Sequence, residues 1–169
     1  KYDNKKIVVV QGLGFVGTAV AAVIADAKNS LGEDLYFVIC VEADSKSGQE
    51  KVYKLNRGIS PVISSDTNLD RIINDCVIEK QNLLATVVEE AYNIADFIIV
   101  DVGLDVHEID VDHIDQIDVD LSGFENAIRV IGKQMPPEAL ILIETTVPVG
   151  LCEKIALPII LEERESRNI

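Results

Sequence analysis

The sequence predicts a doubly wound α/β fold, with a mostly parallel β-sheet between two layers of helices, three layers in all. Short runs such as IVVVQ and LYFVICVE are apolar at consecutive positions, which is typical of strands buried on both faces of a parallel sheet. These runs alternate with helical segments along the whole chain, and no internal repeat interrupts the alternation. A composition of 48% hydrophobic and 26% charged residues is that of a globular protein.

Five strands are predicted from apolar runs that polar or glycine-containing turns delimit. They are residues 7–11, 35–42, 82–87, 96–103 and 139–146. The first leads into a glycine-rich turn, and the second is apolar until its last residue, Glu42. In a doubly wound sheet, ligands bind at the carboxyl ends of the strands, so the residues at these ends are the candidates for a site.

Helices are predicted between the strands. They cover residues 15–27, 45–58, a segment that begins after Asp66, residues 88–95 and 121–134, and a last segment after Gly150. The first is apolar all round, whereas the second is polar and ends at a glycine, Gly58. Asp66 is a good N-cap for the third, in which Leu69, Ile72 and Ile73 follow at helical spacing.

Length and charge limit the classes of protein to consider. A chain of 169 residues predicts one domain over residues 1–169. No apolar run approaches the roughly 18 residues of a membrane span, so we expect a soluble, unexported protein with no membrane partner. The formal net charge of −14 argues against a nucleic-acid partner, because the overall field repels a polyanion.

The three cysteines, Cys40, Cys76 and Cys152, form no CxxC pair and have no neighbouring histidine. This pattern fits neither a disulfide framework nor a zinc site and predicts reduced thiols in a cytoplasmic protein. Cys40 lies within a strand and is expected in the core. Cys152 follows a predicted helix start that favours a thiolate, but no base is near it in sequence, so packing or an inert thiol is the favoured interpretation.

The main candidate site is the turn after the first strand, where Gly12, Gly14 and Gly17 match the GxGxxG spacing. In a dinucleotide-binding Rossmann fold the first glycine allows the tight turn and the second lets the backbone approach the pyrophosphate. The third lets the helix pack closely on the sheet. The helix N-terminus then offers N–H groups and a partial positive charge to the phosphates. The pattern alone is weak, because glycine turns also occur for structural reasons.

Glu42 supplies an independent observation, since it ends the second strand 25 residues after Gly17. An acid at this place binds the ribose hydroxyls of NAD, and the absence of a nearby arginine favours NAD over NADP. Glu42 as merely the first solvated residue after the strand, and Asp44 as the acid instead, remain alternatives. S-adenosylmethionine enzymes are less favoured, because a ligand without a pyrophosphate has less need of Gly17.

Five segments in order resemble the NAD-binding domain of the UDP-glucose/GDP-mannose dehydrogenase family. They are GLGFVGTAVA, KLNRGISPVI, LLATVVEEAYNIADFIIVDV, DLSGFENAI and IETTVPVGLCEKI. The resemblance covers nearly the whole chain, and the combination of NRGxxP with TTVPxG is more specific than the glycine turn. Rossmann domains of other NAD-dependent dehydrogenases, of the 3-hydroxyacid or 6-phosphogluconate type, and a non-catalytic NAD-sensing domain remain alternatives.

The resemblance implies a nucleotide-sugar 6-dehydrogenase, which oxidises the C6 alcohol of a UDP-sugar or similar substrate to a carboxylate in two hydride transfers to NAD. In this family a thiol-bound intermediate forms on a cysteine of a second, sugar-binding domain, which lies outside residues 1–169. We therefore expect this chain to be inactive alone and the parent enzyme to be a homodimer. Such enzymes serve polysaccharide biosynthesis.

The resemblance also assigns cofactor-binding residues by position. The pyrophosphate turn comprises Gly12, Gly14, Phe15, Val16 and Gly17, and Glu42 holds the adenosine ribose. Val102 and Gly103 line the path from adenine to nicotinamide, and Thr145 and Thr146 lie near the nicotinamide. No residue of the chain is assigned a catalytic role, although Thr146 is expected near the reacting ring.

The sequence departs from the family pattern in three places. The family's PTP-like turn after the fourth strand is replaced here by Gly103, Leu104 and Asp105, and the usual glutamate after Pro61 by serines. Asp101 stands at an apolar strand end, where burial without a partner is costly.

The acidic tract of residues 105–120 contains both histidines, His107 and His113. Carboxylates and imidazoles are metal ligands, but their spacing here matches no ligand template, so a solvated loop and no metal are expected.

Overall fold

The computed structural model of the chain describes residues 5–103, 105–106 and 119–168. So far as they are described, the residues form two compact units. The first takes in Lys1–Asp101 and Gln134–Glu144, and the second takes in Val102–Lys133 and Thr145–Ile169.

The first unit is built on a five-stranded parallel sheet, which confirms the predicted doubly wound fold. Its strands are β1 (Lys6–Gln11), β2 (Tyr36–Val41), β3 (Leu83–Thr86), β4 (Phe97–Val100) and β7 (Leu140–Ile143). Their spatial order is β3-β2-β1-β4-β7, and all neighbours are parallel. The chain moves outward from β1 to β3 and then returns to the other side of β1, so the strand order reverses between β1 and β4. Ligands of open α/β sheets bind at such a reversal, beyond the carboxyl ends of the strands.

The central strands are apolar because both of their faces are covered. Residues 8–10 of β1 and 37–41 of β2 are all buried. The predicted fourth and fifth strands are too long at their carboxyl ends, since β4 stops at Val100 and β7 at Ile143. Asp101, Thr145 and Thr146 therefore follow the strands instead of ending them.

Three α-helices belong to the first unit: α1 (Phe15–Asp26), α2 (Lys46–Leu55) and α3 (Thr67–Asn74). Small residues of α1, Ala21 and Ala25, pack with β1 and β2 in one buried cluster, which allows a close approach of helix and sheet. The predicted N-cap is confirmed, since the Asp66 carboxylate accepts a hydrogen bond of 2.9 Å from the Asn68 N–H. Helix α3 continues into a π-helical turn, Asp75–Glu79.

The helix predicted at residues 88–95 is present and is of the 3₁₀ type. The segment Glu89–Ile94 is a 3₁₀ helix that connects β3 to β4. Its six residues are few for an α-helix, and 3₁₀ turns are frequent as short connectors.

The second unit contains a two-stranded antiparallel ladder of β5 (Asp105–Val106) and β6 (Val119–Asp120), and the helices α4 (Ser122–Gln134) and α5 (Leu157–Ser166). A π-helical turn, Cys152–Ala156, precedes α5. Arg129 of α4 pairs with Glu163 of α5 at 2.7 Å. Among the described residues, none of the helices is long and apolar enough to cross a bilayer.

Candidate functional site

The turn from β1 to α1 holds the three predicted glycines, and two of them are required by the chain itself. Gly12 has a φ of +98°, and a Cβ atom there would lie 2.3 Å from the Asp101 carbonyl oxygen. A Cβ atom at Gly17 would lie 2.3 Å from the carbonyl oxygen of Gly12. Both contacts are with backbone, so a side chain at either position forces the turn, β4 or α1 to move.

Gly14 differs from its neighbours in this respect. Its φ of −73° and ψ of −172° are open to any residue. Among the described residues, the nearest atom to a Cβ built at Gly14 is Oδ2 of Asp101, at an ordinary contact distance of 3.7 Å. The described part of the chain therefore gives no steric reason for glycine at this position.

Helix α1 begins here with Gly14 as its N-cap, which has no side chain to accept a hydrogen bond. The N–H groups of the first helical residues, Phe15, Val16 and Gly17, have no carbonyl partner within the helix. The Gly17 N–H donates to Oδ2 of Asp101 at 2.5 Å. Phe15 and Val16 expose 60% and 48% of their surface, so two large apolar side chains stand in solvent beside the turn.

Glu42 follows β2 directly and contacts the glycine turn. Its Oε2 accepts hydrogen bonds from the Leu13 N–H at 2.9 Å and from Nζ of Lys51 at 3.0 Å, and its Oε1 accepts from the Ala43 N–H at 3.0 Å. The alternative acid, Asp44, instead accepts a hydrogen bond of 2.7 Å from the Gln49 side chain. The structure therefore brings Glu42 to the turn.

Two residues that position Glu42 were not found from the sequence. Lys51 lies on α2 and neutralises the carboxylate, while Gly48 lets α2 approach it, since a Cβ there would lie 2.0 Å from the Ala43 carbonyl oxygen. No spacing rule relates these residues to Glu42. The one available signal was a glycine inside a predicted helix, which often marks a close backbone contact.

Val102, Gly103, Thr145 and Thr146 belong to the second unit. The Val102 N–H donates to Oγ1 of Thr145 at 3.0 Å, so these two candidates are in contact. Thr145 is half-buried, whereas Gly103 and Thr146 are exposed.

Two of the three thiols and the hydroxyl of Tyr92 are buried. Burial raises the pKa of the Cys40 thiol to about 12, and Cys76 is also buried, which raises its pKa. Cys152 is exposed, so of the two predicted alternatives, packing or an inert thiol, the inert thiol is the one that stays a prediction. The Tyr92 hydroxyl donates to Oε1 of Gln11, and burial raises its pKa.

The metal hypothesis concerned the tract of residues 105–120. His107 and His113 lie outside the described residues, as does Leu104 of the altered turn. Within residues 5–103, 105–106 and 119–168, no group of three or more histidine, cysteine, aspartate or glutamate side chains is arranged to hold a metal ion.

A parallel sheet with reversed strand order, a glycine turn at the start of α1 and an acid after β2 define a dinucleotide-binding domain of the dehydrogenase class. The model of the UDP-glucose/GDP-mannose dehydrogenase family, NAD binding domain, matches residues 5–169, and the chain belongs to this family. NAD is the cofactor of the domain. The match also favours the nucleotide-sugar enzymes over the 3-hydroxyacid and 6-phosphogluconate dehydrogenases.

Solved structures agree with this assignment. The NDP-N-acetyl-D-galactosaminuronic acid dehydrogenase of Methanosarcina mazei is 26% identical with a TM-score of 0.81, over 95% of this chain and 32% of that one. The UDP-D-ManNAc dehydrogenase of Pyrococcus horikoshii is 27% identical with a TM-score of 0.71, over 93% of this chain and 32% of that one. This chain therefore spans about a third of the length of these relatives.

A more distant likeness shows the fold alone. Lactate dehydrogenase of Eimeria maxima is 15% identical with a TM-score of 0.57, over 100% of this chain and 42% of that one. No curated protein sequence matches the chain significantly.

Proposed function

We propose that the chain is the NAD-binding part of a nucleotide-sugar 6-dehydrogenase and that the glycine turn holds the pyrophosphate of NAD. The observation that carries this proposal is Gly14. Its backbone angles and its surroundings in the described structure admit a side chain, yet the residue is glycine. In the dinucleotide fingerprint the second glycine is needed for the approach of the pyrophosphate to the backbone, which supplies the missing reason.

The residues around Gly14 fit the cofactor chemically. The N–H groups of Phe15 and Val16, at the positive end of α1, suit the phosphate oxygens. Glu42 suits the adenosine ribose, because a carboxylate offers about four acceptor positions and three are occupied by Leu13, Ala43 and Lys51. When bound, NAD supplies the hydride acceptor.

The remaining assignments rest on the family resemblance. Val102 and Gly103 would line the path from adenine to nicotinamide, and Thr145 and Thr146 would lie near the nicotinamide. The contact between Val102 and Thr145 supports placing these two in one site. None of the four is proposed as a catalytic acid, base or nucleophile.

The reaction proposed for the parent enzyme is oxidation of the C6 alcohol of a UDP-sugar to a carboxylate. Support comes from the relatives, an NDP-N-acetyl-D-galactosaminuronic acid dehydrogenase and a UDP-D-ManNAc dehydrogenase. Unpaired thiols support a cytoplasmic location, and the family resemblance supports a homodimeric parent and a role in polysaccharide biosynthesis.

The proposal is tested by Gly14→Ser. Serine is a good N-cap, so its hydroxyl can accept a hydrogen bond at the start of α1 and the melting temperature should be kept or raised. Its Cβ and hydroxyl occupy the space proposed for the pyrophosphate, so we expect NADH affinity to fall about tenfold or more. Titration of NADH emission measures the affinity, and the absence of tryptophan from the chain keeps the background low.

Gly123→Ser is the matched control, because Gly123 lies in the first turn of α4 and a Cβ there meets no described atom within 4 Å. This variant should bind NADH as the wild type does. Equal NADH affinity in the wild type and Gly14→Ser would contradict the proposed role of the turn.

A further inference from the structure

We infer that Asp101 is a built-in competitor for the cofactor: its carboxylate occupies the N-terminus of α1 and lowers the affinity of the glycine turn for the pyrophosphate. The inference rests on the proposed function, and all the residues that carry it belong to the first unit.

The position of Asp101 follows from the sheet. Its N–H donates to the Gln11 carbonyl oxygen at 3.0 Å, which extends the pairing of β4 with β1 by one residue. Asp101 is thereby held opposite the start of the glycine turn. Its carbonyl oxygen would lie 2.3 Å from a Cβ atom built at Gly12. The hydrogen bond to Gln11 ties the backbone of Asp101 to β1, so the sheet positions its carboxylate.

The carboxylate lies among the glycines. Its Oδ2 is 2.5 Å from the Gly17 nitrogen and 3.7 Å and 3.0 Å from the Cβ positions at Gly14 and Gly17. The carboxylate therefore lies next to the space that a side chain at Gly14 would occupy.

No cation offsets this charge within the described part of the chain, where the ion pairs do not include Asp101. A helix N-terminus attracts any anion, whether it is a side-chain carboxylate or a phosphate. One amide hydrogen cannot serve two anions fully, and a second anion placed beside the first is repelled. The pyrophosphate must therefore bind next to Asp101 at reduced affinity or displace its carboxylate from Gly17.

A purely structural role is the alternative interpretation. Gly14 cannot cap α1 with a side chain, and Asp101 makes the hydrogen bond that an N-cap side chain normally makes to the third helical residue. That role alone predicts a loss of stability on substitution and no gain in affinity. The two interpretations differ only in what happens to ligands that carry phosphate.

The test is Asp101→Asn, which removes the charge and keeps an oxygen that can accept from the Gly17 N–H. Wild type and variant are titrated with NADH and ADP-ribose, which contain a pyrophosphate, and with adenosine, which does not. We expect about tenfold or greater tightening for NADH and ADP-ribose, because a like charge is removed, and unchanged adenosine binding. Asp101→Ser, a smaller residue that also offers an acceptor, gives the same comparison if the asparagine variant does not fold.

Asp96→Asn is the matched control. Asp96 precedes β4 as Asp101 follows it, and its carboxylate also accepts from a backbone N–H, that of Ile7 at 2.8 Å. It lies at the opposite end of the strand, so the variant changes the net charge equally without touching the turn. Its affinities should equal those of the wild type.

Each other result overturns the inference. If the wild type binds NADH and neither Asp101 variant binds it more tightly, the inference fails and the proposed function stands. If Asp96→Asn raises NADH affinity as much as Asp101→Asn does, the effect is one of net charge and the inference is rejected. If Asp101→Asn raises adenosine affinity as much as NADH affinity, the effect is a general loosening of the structure and the inference is rejected as well. Binding of NADH by neither the wild type nor the Asp101 variants overturns the inference and the proposed function together.

Discussion

The three glycines of the turn after β1 are alike in sequence, but a side chain would meet different surroundings at each. Gly12 combines a positive φ with a backbone contact, and Gly17 has the backbone contact alone. Gly14 has neither among the described residues, so it is the glycine for which we propose a role in ligand binding. We therefore propose that the motif is part structural and part functional.

At Gly17 we expect the substitution to alanine to destabilise the fold. The added Cβ would lie 2.3 Å from the Gly12 carbonyl oxygen, so α1 must shift away from the turn. Overpacking of this kind costs about 1–3 kcal/mol, and over most of that range it outweighs the roughly 1 kcal/mol that alanine gains over glycine inside a helix. Urea unfolding followed by circular dichroism gives the free energy of unfolding.

Gly123→Ala serves as the control for Gly17→Ala, since its Cβ enters space that is open among the described residues. It should keep or raise the free energy of unfolding. A Gly17→Ala variant as stable as this control would show that the close contact between α1 and the turn is not a constraint.

At the scale of elements, the sequence predicted helix starts better than strand ends. A helix start depends on one side chain and the N–H groups next to it, and Asp66 and Ser45 cap α3 and α2 in this way. A strand ends where its neighbours stop pairing with it, which is not a local property. The segment DFIIVDVG therefore predicted a longer strand than β4, whose register with β1 and β7 ends at Val100, with one further hydrogen bond from the Asp101 N–H to the Gln11 carbonyl oxygen.

The cap at Asp66 leads to a prediction for α3. Replacement by alanine removes the acceptor for the Asn68 N–H, and the loss of an N-cap costs about 1 kcal/mol. Thermal unfolding should show a melting temperature lower by a few degrees. Asp66→Ser, which retains a capping oxygen, should melt close to the wild type; if the two variants melt alike, the cap contributes nothing.

At the scale of the whole molecule, the chain is a cofactor-binding part that spans 32% of its solved relatives. We expect it to bind NAD without oxidising a nucleotide sugar, because the family resemblance implies that the catalytic cysteine lies in a second domain, outside residues 1–169. Absorbance at 340 nm should show no NADH formation from NAD with UDP-glucose or UDP-N-acetylmannosamine above the rate without protein.

The full-length Methanosarcina mazei relative, assayed with its own substrate, provides the positive control for that assay. Formation of NADH by this chain with either UDP-sugar would contradict the division of binding and catalysis between two domains.

The sequence by itself determined the alternation of strands and helices, the glycine turn, the acid after β2 and the family. These depend on local periodicity, on residue types with special backbone freedom and on motifs that are contiguous in the chain. Only the tertiary structure decided that Glu42 rather than Asp44 contacts the turn, that Lys51 and Gly48 position it, and that Asp101 occupies the N-terminus of α1. Asp101 is separated from Gly17 by 84 residues, and only the parallel pairing of β4 with β1 places its carboxylate beside the glycines.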